Sequence, residues 1–157
     1  MIYTIKQGNH YCWPRWPSLY LSKGKELVEV TFNKSNLYQL GNDNQQDVNK
    51  LHGRTFGLDV HHNSYRIGWR PTDKYIDLFH YSYVNGQRLI KIFDIVHINQ
   101  KVIIPIDYNH SSGYIKVGNE LTNFNTANMP HWGLRCFPYV GGDEAAIHQM
   151  KLSLKIK

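Results

Sequence analysis

The sequence predicts an all-β fold, a two-sheet antiparallel jelly-roll sandwich, and three observations support this prediction. Apolar, β-branched and aromatic residues alternate with polar residues in many short segments, whereas no segment has the i, i+3, i+4, i+7 spacing of an amphipathic helix. Turn-forming pairs such as Asn85-Gly86 separate several of these segments. The chain has 157 residues, so we expect a single jelly-roll domain over residues 1–157.

The strand predictions follow this alternation along the chain. Each predicted strand is short, and many such strands must bury one face against a second sheet or close into a barrel. The predicted strands are Ile2–Lys6, Leu19–Ser22, Leu27–Asn33, Leu37–Leu40, Ser64–Arg70, Tyr75–Val84, Arg88–Ile98, Val102–Asp107, Tyr114–Val117, Leu134–Tyr139 and Gln149–Ile156.

Three connections have recognisable turn chemistry. Asn85-Gly86 fits a two-residue type I′ turn, because both of its positions need positive φ and Asn-Gly tolerates this best. Asn99-Gln100 can close the next hairpin, and Pro71–Lys74 can close a four-residue one. These turns predict an antiparallel meander from about Ser64 to Asp107.

Polar or proline-containing segments between the strands are predicted as loops: Trp13–Pro17, Leu40–Leu51 and Asn123–His131. Loops on a rigid sandwich are common binding sites. Trp13 and Trp16 lie in the first loop, where they either cover one end of the sandwich or contact a ligand. Trp69 lies on an apolar strand face and is predicted to be in the core.

Charge and hydropathy narrow the range of partners. The chain has 18 Lys and Arg against 12 Asp and Glu, a net charge of +6, which is compatible with an acidic partner. The basic residues are scattered and no two are adjacent, which argues against nucleic acid as that partner. No apolar run approaches the ~18 residues that cross a bilayer, so we expect no membrane association.

The N-terminal segment MIYTIKQGNHY lacks the apolar stretch of a signal peptide. We therefore expect a cytoplasmic or virion-associated protein, or an extracellular one if the sequence is part of a longer chain.

The cysteines and histidines do not form a recognisable metal or cofactor motif, so no metal and no cofactor are expected. Cys12 and Cys136 are 124 residues apart, which leaves two buried thiols or a single bridge between the first and last strands as alternatives. In the cluster Asp59-Val60-His61-His62, only Asp59 and His61 could share a side of a strand, and a metal site needs three or four ligands.

Two segments resemble small concanavalin A-like jelly-roll domains of bacteria and their phages. They are WGLRCFPYVGGDEAAIHQM (Trp132–Met150) and NSYRIGWR (Asn63–Arg70). In that group the last strands tend to read Pro-Tyr-Phe-Gly-Gly followed by Ala-Pro-His; here Val140 replaces the Phe and Ile147 the Pro. The resemblance implies the jelly-roll fold and a general association with carbohydrate recognition or modification.

The hairpin of Ser64–Arg70 and Tyr75–Val84 contains the candidate ligand-binding residues. Closing it through Pro71–Lys74 places Arg66 opposite Phe79 and Arg70 opposite Tyr75. One face then combines aromatic rings with two guanidinium groups and a carboxylate, which suits the C–H faces and hydroxyls of a sugar. The candidate residues are Arg66, Arg70, Tyr75, Asp77, Phe79 and Tyr81. The opposite face, which includes Tyr65, Ile67, Trp69, Ile76, Leu78 and His80, is predicted to be core.

The same pattern also fits an ordinary cross-strand surface in which Arg66 and Asp77 form an ion pair. A register slip of one residue would exchange the two faces.

Catalytic signatures are absent from the sequence. Hydrolysis of a glycan needs paired carboxylates, and elimination needs a His/Tyr/Arg set, but Glu26 and Glu29 do not alternate onto one strand face, and Glu-x-Asp-x-x-Glu, Gln-Ile-His and Gly-x-Ser-x-Gly do not occur. We therefore predict a non-catalytic module that binds a carbohydrate or glycoconjugate. The alternatives are a structural or assembly protein, such as a phage virion component with a protein partner or a homo-oligomeric state, and a polysaccharide lyase or glycoside hydrolase without the usual signatures.

Overall fold

The structure is a computed structural model that describes residues 1–15 and 18–157. Trp16 and Pro17 lie outside the described residues, and with them part of the first predicted loop. The described chain forms β-strands and two short 3₁₀ helices, Lys34–Asn36 and Asp43–Gln46. The strands are β1 (Ile2–Ile5), β2 (Cys12–Trp13), β3 (Leu19–Tyr20), β4 (Lys25–Phe32), β5 (Asn49–Thr55), β6 (Ser64–Pro71), β7 (Tyr75–Val84), β8 (Gln87–His97), β9 (Lys101–Asp107), β10 (Tyr114–Val117), β11 (Glu120–Asn125), β12 (Gly133–Cys136) and β13 (Met150–Ile156).

The strands form two antiparallel sheets that pack as a sandwich. The seven-stranded sheet has the order β11-β10-β9-β4-β13-β1-β2, and the six-stranded sheet has the order β3-β12-β5-β6-β7-β8. Strands distant in sequence are neighbours in both sheets; for example, β13 lies between β1 and β4. The predicted all-β, two-sheet antiparallel jelly-roll sandwich is confirmed.

The core lies between the sheets and is built from alternate residues of their strands. In β4 every second residue is buried, ending with Val28, Val30 and Phe32. Trp69 of the six-stranded sheet is fully buried, and its ring centroid lies 5.2 Å from that of Phe32 in the other sheet. The prediction that Trp69 is a core residue is therefore confirmed, and the strand periodicity follows from burying one face of each sheet.

A buried charge cluster also joins the two sheets. Glu26 of β4 accepts a hydrogen bond from Arg54 Nη2 of β5 at 2.6 Å, and its other oxygen lies 2.8 Å from His52 Nε2. Burial raises the pKa of Glu26, but the hydrogen bonds and charges of His52 and Arg54 outweigh burial and lower this pKa to about 2. Glu26 is thus an ionised structural residue in the interior.

The Asn85-Gly86 turn forms as predicted. Asn85 has φ 50° and Gly86 has φ 82°, and the flanking residues Val84 and Gln87 pair directly. This two-residue connection fixes the register of β7 and β8.

The predicted meander is wrong beyond β8. β9 pairs with β4 and β10, and not with β8. Asn99 adopts φ 64°, and its N–H donates to the Phe32 carbonyl at 2.7 Å. The turn therefore leads the chain from the six-stranded sheet to the seven-stranded sheet, because a local turn permits a reversal but does not choose the partner strand.

One strand prediction and two loop predictions also need correction. Leu37–Leu40 is not a strand, and the predicted loop Leu40–Leu51 ends inside β5, a fully buried strand with the polar sequence NKLHGRT. The predicted loop Asn123–His131 begins inside β11. A strand as polar as β5 can be buried because its polar side chains find hydrogen-bond and ion-pair partners inside the protein, as His52 and Arg54 do with Glu26.

Candidate functional site

The β6–β7 hairpin, which contains the candidate ligand-binding residues, has a register two residues away from the predicted one. Arg66 lies opposite Tyr81, and not opposite Phe79, because pairing extends to Pro71 and Ile76. The turn is therefore 72–75 instead of 71–74. A shift of two residues preserves the alternation, so every residue stays on the predicted face.

The two faces of this hairpin are placed as predicted, one in the core and the other outside it. Tyr65, Ile67, Trp69, Ile76 and Leu78 are fully buried in the core between the sheets. The opposite face, with Arg66 and Tyr81, lies on the outside of the six-stranded sheet. Phe79 and Tyr81 form a separate small cluster there with Val48.

Glycine at position 53 of β5 makes room for Arg66 on this outer face. A Cβ atom at Gly53 would lie 2.6 Å from Arg66 Cα and 2.9 Å from Arg66 Cγ. Any side chain at this position would clash with the neighbouring strand. Gly53 therefore allows the Arg66 side chain to lie across β5.

An open groove of about 810 Å³ lies on this outer face, and we call it the outer groove. The central strands of the six-stranded sheet, the 46–48 segment and the 134–143 segment supply most of its lining. Tyr11 and Arg15 line it beside Tyr139, and the His61 ring lies 5.2 Å from that of Tyr83. Six of its polar and aromatic lining residues are Lys50, Arg66, Tyr81, Tyr83, Arg88 and Tyr139.

Arg66 has a charged side chain without a charged partner on the floor of the outer groove. The residue is only 7% exposed, and its Nε and Nη2 atoms are buried without a hydrogen-bond partner in the described chain. Its Cζ lies 4.7 Å from the centroid of the Tyr81 ring and 5.7 Å from that of Tyr83. The cation is thus stacked on rings, and its capacity to donate hydrogen bonds is only partly used.

The cross-strand ion pair that the sequence left open forms between other residues. Asp77 Oδ2 lies 3.3 Å from Arg70 Nη2, its partner in the strand register. Arg66 does not take part in this pair.

Lys50 is a second buried cation beside Arg66. Its Nζ donates to the Gly141 carbonyl at 3.2 Å and lies 4.9 Å from the Tyr81 ring centroid and 5.4 Å from that of Tyr139. Burial lowers the pKa of Lys50 to about 8, and the positive charge of Arg66 acts in the same direction. The groove floor therefore concentrates positive charge against aromatic rings.

The glycine-containing segment after β12 forms one wall of the groove. Tyr139 and Lys50 exchange backbone hydrogen bonds of 2.8 and 2.9 Å, which add this segment to the edge of β5. Asn49 Oδ1 accepts a hydrogen bond from the Gly141 N–H at 2.6 Å, and Gly141 adopts φ 85°. These bonds hold the Tyr139 ring against the groove.

The six predicted site residues do not line one common pocket. Arg66 and Tyr81 line the outer groove, whereas Arg70 and Tyr75 line a second, shallower pocket of about 710 Å³ beside Gln46. Phe79 is buried, with Val48 packed against it and the Arg70 guanidinium 5.0 Å from its ring centroid. Asp77 pairs with Arg70.

Sequence reasoning did not select Lys50 and Tyr139 as site residues. Lys50 lies in the segment predicted as a polar loop, and Tyr139 reaches the groove through pairing with a strand about ninety residues earlier. A signal for Tyr139 was present in the Pro-Tyr-x-Gly-Gly run of the resemblance.

The other candidate motifs have local structural roles. Asp59 Oδ1 accepts a hydrogen bond from the His61 N–H at 2.8 Å, which closes an exposed turn. Within residues 1–15 and 18–157, no group of three or more His, Cys, Asp or Glu residues could hold a metal ion. Cys12 and Cys136 are both free thiols, and burial raises the pKa of each to about 11.

The acidic residues of the groove are Asp47 and Asp143. Asp47 Oδ2 accepts a hydrogen bond from the Gly142 N–H at 3.2 Å. The buried Glu26 does not line the groove; it lies between the sheets, where Arg54 and His52 contact its carboxylate.

No family model and no curated protein sequence matches the chain. A solved structure of a bifunctional GH43-CE protein from Bacteroides eggerthii aligns with 99% of this chain at 12% sequence identity and a TM-score of 0.47. This chain corresponds to 21% of the length of that protein. In the part of the chain that the structure describes, no helix has the length and apolar character to cross a membrane.

Proposed function

We propose that the protein is a non-catalytic module that binds a carbohydrate or glycoconjugate in the outer groove. The observation that supports this proposal most is the Arg66 guanidinium, which is buried among the rings of Tyr81 and Tyr83 with unused donors. A buried charged donor without an acceptor is costly, and a ligand oxygen would satisfy it.

The chemistry of the groove suits a sugar. The partly exposed rings of Tyr83 and Tyr139 offer apolar surfaces for the C–H faces of a pyranose, and the cations Lys50 and Arg66, packed on the buried Tyr81 ring, can donate to oxygen atoms beside them. The groove opens to solvent on the outer face of the sheet, so a glycan can enter it from that side. The proposed binding groove does not include four of the predicted site residues, Arg70, Tyr75, Asp77 and Phe79.

The groove holds two carboxylates, Asp47 and Asp143, and the buried acid Glu26 lies outside it. Among the acids, Glu26 has the most strongly shifted pKa, and Arg54 and His52 hold its carboxylate in the interior. Asp47 in the groove is engaged with the Gly142 backbone. The enzyme alternatives are tested directly by incubating the protein with any glycan it binds and analysing the products for shortened chains.

A glycan array with purified variants tests the proposal. Tyr81→Ala should weaken binding by roughly 1–3 kcal/mol, because binding energy concentrates in a few aromatic and Arg anchors. Tyr114→Ala is the control for a tyrosine outside the groove, in β10 of the other sheet, and thermal denaturation checks that Tyr81→Ala, which removes a buried ring, still folds. Loss of binding by both variants, or by neither, would contradict the assignment of the ligand to the outer groove.

A structural or assembly role is the second candidate, and the β8 edge favours it. β8 is the last strand of the six-stranded sheet in the described chain, and Ile90, Ile92 and Ile95 are 42%, 45% and 56% exposed. An antiparallel pairing of two copies that places Lys91 opposite Asp94 also places Ile90 opposite Ile95, so the edge is self-complementary.

Size-exclusion chromatography with light scattering distinguishes this candidate from a monomeric binding module. A dimer that becomes monomeric in Ile92→Lys would favour assembly through β8. A monomer at all concentrations would exclude this pairing.

A further inference from the structure

We infer that the glycan is anionic, and that its carboxylate or sulfate group binds at Arg66 on the floor of the outer groove, with Lys50 and Arg88 beside it. This inference rests on the proposed function and adds to it the chemical class of the ligand.

Arg66 supplies the first argument. A neutral hydroxyl would accept a hydrogen bond from its unused donors but would leave its charge without a counter-charge. A carboxylate or sulfate satisfies both, because a planar guanidinium and an oxyanion form two parallel charge-assisted hydrogen bonds. Ion-pair partners within 4.0 Å are found for Arg54, Arg70 and Arg135, but for the described residues none is found for Arg66.

The cations next to Arg66 supply the second argument. Lys50 is nine-tenths buried, and the described residues give it no carboxylate partner within ion-pair distance. Arg88 lines the same groove, and its positive charge helps to lower the pKa of Lys50. Three like charges close together raise the energy of the unliganded groove, and an anion between them would lower it.

The acidic residues of the groove do not neutralise this cluster at close range. Asp47 acts on Lys50 and Asp143 on Tyr139, but no ion pair within 4.0 Å joins either carboxylate to a cation of the described residues. Arg135, which also lines the groove, has its guanidinium 3.8 Å from the buried Glu26. An excess of positive charge therefore remains at Arg66 and Lys50.

Acidic glycan fits this cluster better than nucleic acid does. The two central cations line the groove packed against a tyrosine ring, and they do not form an exposed row. A polyphosphate backbone needs a stripe of exposed cations that follows its regular charge spacing. The basic residues of this chain are instead scattered along the sequence.

The affinity for an anionic glycan should depend on pH through Lys50. The bound anion favours the protonated amine, so affinity should fall as pH rises through about 8, the pKa of Lys50 in the unliganded groove. The titratable and charged groups that face Lys50 are Asp47, Arg66, Tyr81, Arg88 and Tyr139.

The test compares charged polysaccharides with their neutral counterparts. The probes are polygalacturonate and its carboxyl-reduced form, dextran sulfate and dextran, and a single-stranded oligonucleotide, each titrated into the folded full chain by calorimetry. The variants are Arg66→Met and, as a matched loss of one positive charge on an exposed position of the other sheet, Lys155→Met.

The expected result is binding of at least one charged polymer about tenfold more tightly than its neutral counterpart. The preference should disappear in Arg66→Met and persist in Lys155→Met. Preference for polygalacturonate identifies a carboxylate ligand, and preference for dextran sulfate identifies a sulfate ligand.

Other outcomes separate this inference from the proposed function. Equal affinity for the charged and neutral members of each pair, with binding lost in Tyr81→Ala, overturns the anionic class and leaves a neutral-glycan groove. An equal loss of preference in Lys155→Met overturns the assignment to Arg66. Binding of the oligonucleotide alone overturns both the inference and the proposed function.

Discussion

Replacing Arg66 by methionine should stabilise the folded protein while it removes a ligand contact. The buried Nε and Nη2 donors have no partner, and each such group costs about 1–3 kcal/mol or more when charged. Stacking on Tyr81 returns about 0.5–2 kcal/mol. Methionine keeps much of the unbranched stem, so we expect a net gain of about 2 kcal/mol and a rise in Tm of about 4–8 °C.

Urea and thermal denaturation of the unliganded protein measure this effect, and Arg70→Met is the matched comparison. Arg70 lies on the same strand face but pairs with Asp77 at 3.3 Å. Its replacement should lower stability by about 1–2 kcal/mol, because it leaves a mostly buried carboxylate unpaired. A fall in Tm for Arg66→Met as large as that for Arg70→Met would refute the view that Arg66 lacks a counter-charge.

Two further predictions concern the scaffold. Glu26→Gln should destabilise the protein at pH 7 by about 3 kcal/mol, because it leaves buried Arg54 without its counter-charge. The pKa of Glu26 in the folded protein is lowered from 4.5 to about 2, so the wild type should lose this contribution as the pH falls from about 4.5 towards 2. Urea titrations at several pH values should show that the free energy of unfolding decreases less over this range in the variant than in the wild type. Gly86→Val should lower stability by about 1–2 kcal/mol, because Gly86 adopts φ 82° in the two-residue turn; an unchanged denaturation midpoint would contradict this.

The part of the fold that is set by local chemistry could be predicted from the sequence. The Asn85-Gly86 turn needs two residues with positive φ, and the pair tolerates this. The faces of β6 and β7 were assigned correctly despite a register error, because the error was an even number of residues. Alternation alone therefore identified Trp69 as core and placed Arg66 on the outside.

The part that depends on distant partners could not be predicted in the same way. β5 has the composition of a loop, and only the contacts of His52 and Arg54 with Glu26 make its burial favourable. Asn99 has the φ of a hairpin turn, yet the strand after it pairs with β4. Local patterns do not specify which strands meet across the sandwich.

The same limit applies to the candidate site. Arg66 and Tyr81 are neighbours on adjacent strands, so the hairpin pattern was sufficient to bring them together. Lys50 and Tyr139 join them only because the segment after β12 pairs with the edge of β5. The 46–48 segment, predicted as a surface loop, brings Val48 over Phe79 and so separates Arg70 from the outer groove.

The most direct test of the account is an NMR titration of the ¹⁵N-labelled protein with the glycan that scores highest on the array. We expect the largest shifts at the Arg66 Nε–H signal and at the backbone amides of Tyr81 and Tyr139, which line the outer groove. Shifts confined to the pocket beside Arg70 and Tyr75, with the Arg66 signal unchanged, would contradict the central claim that the outer groove is the binding site.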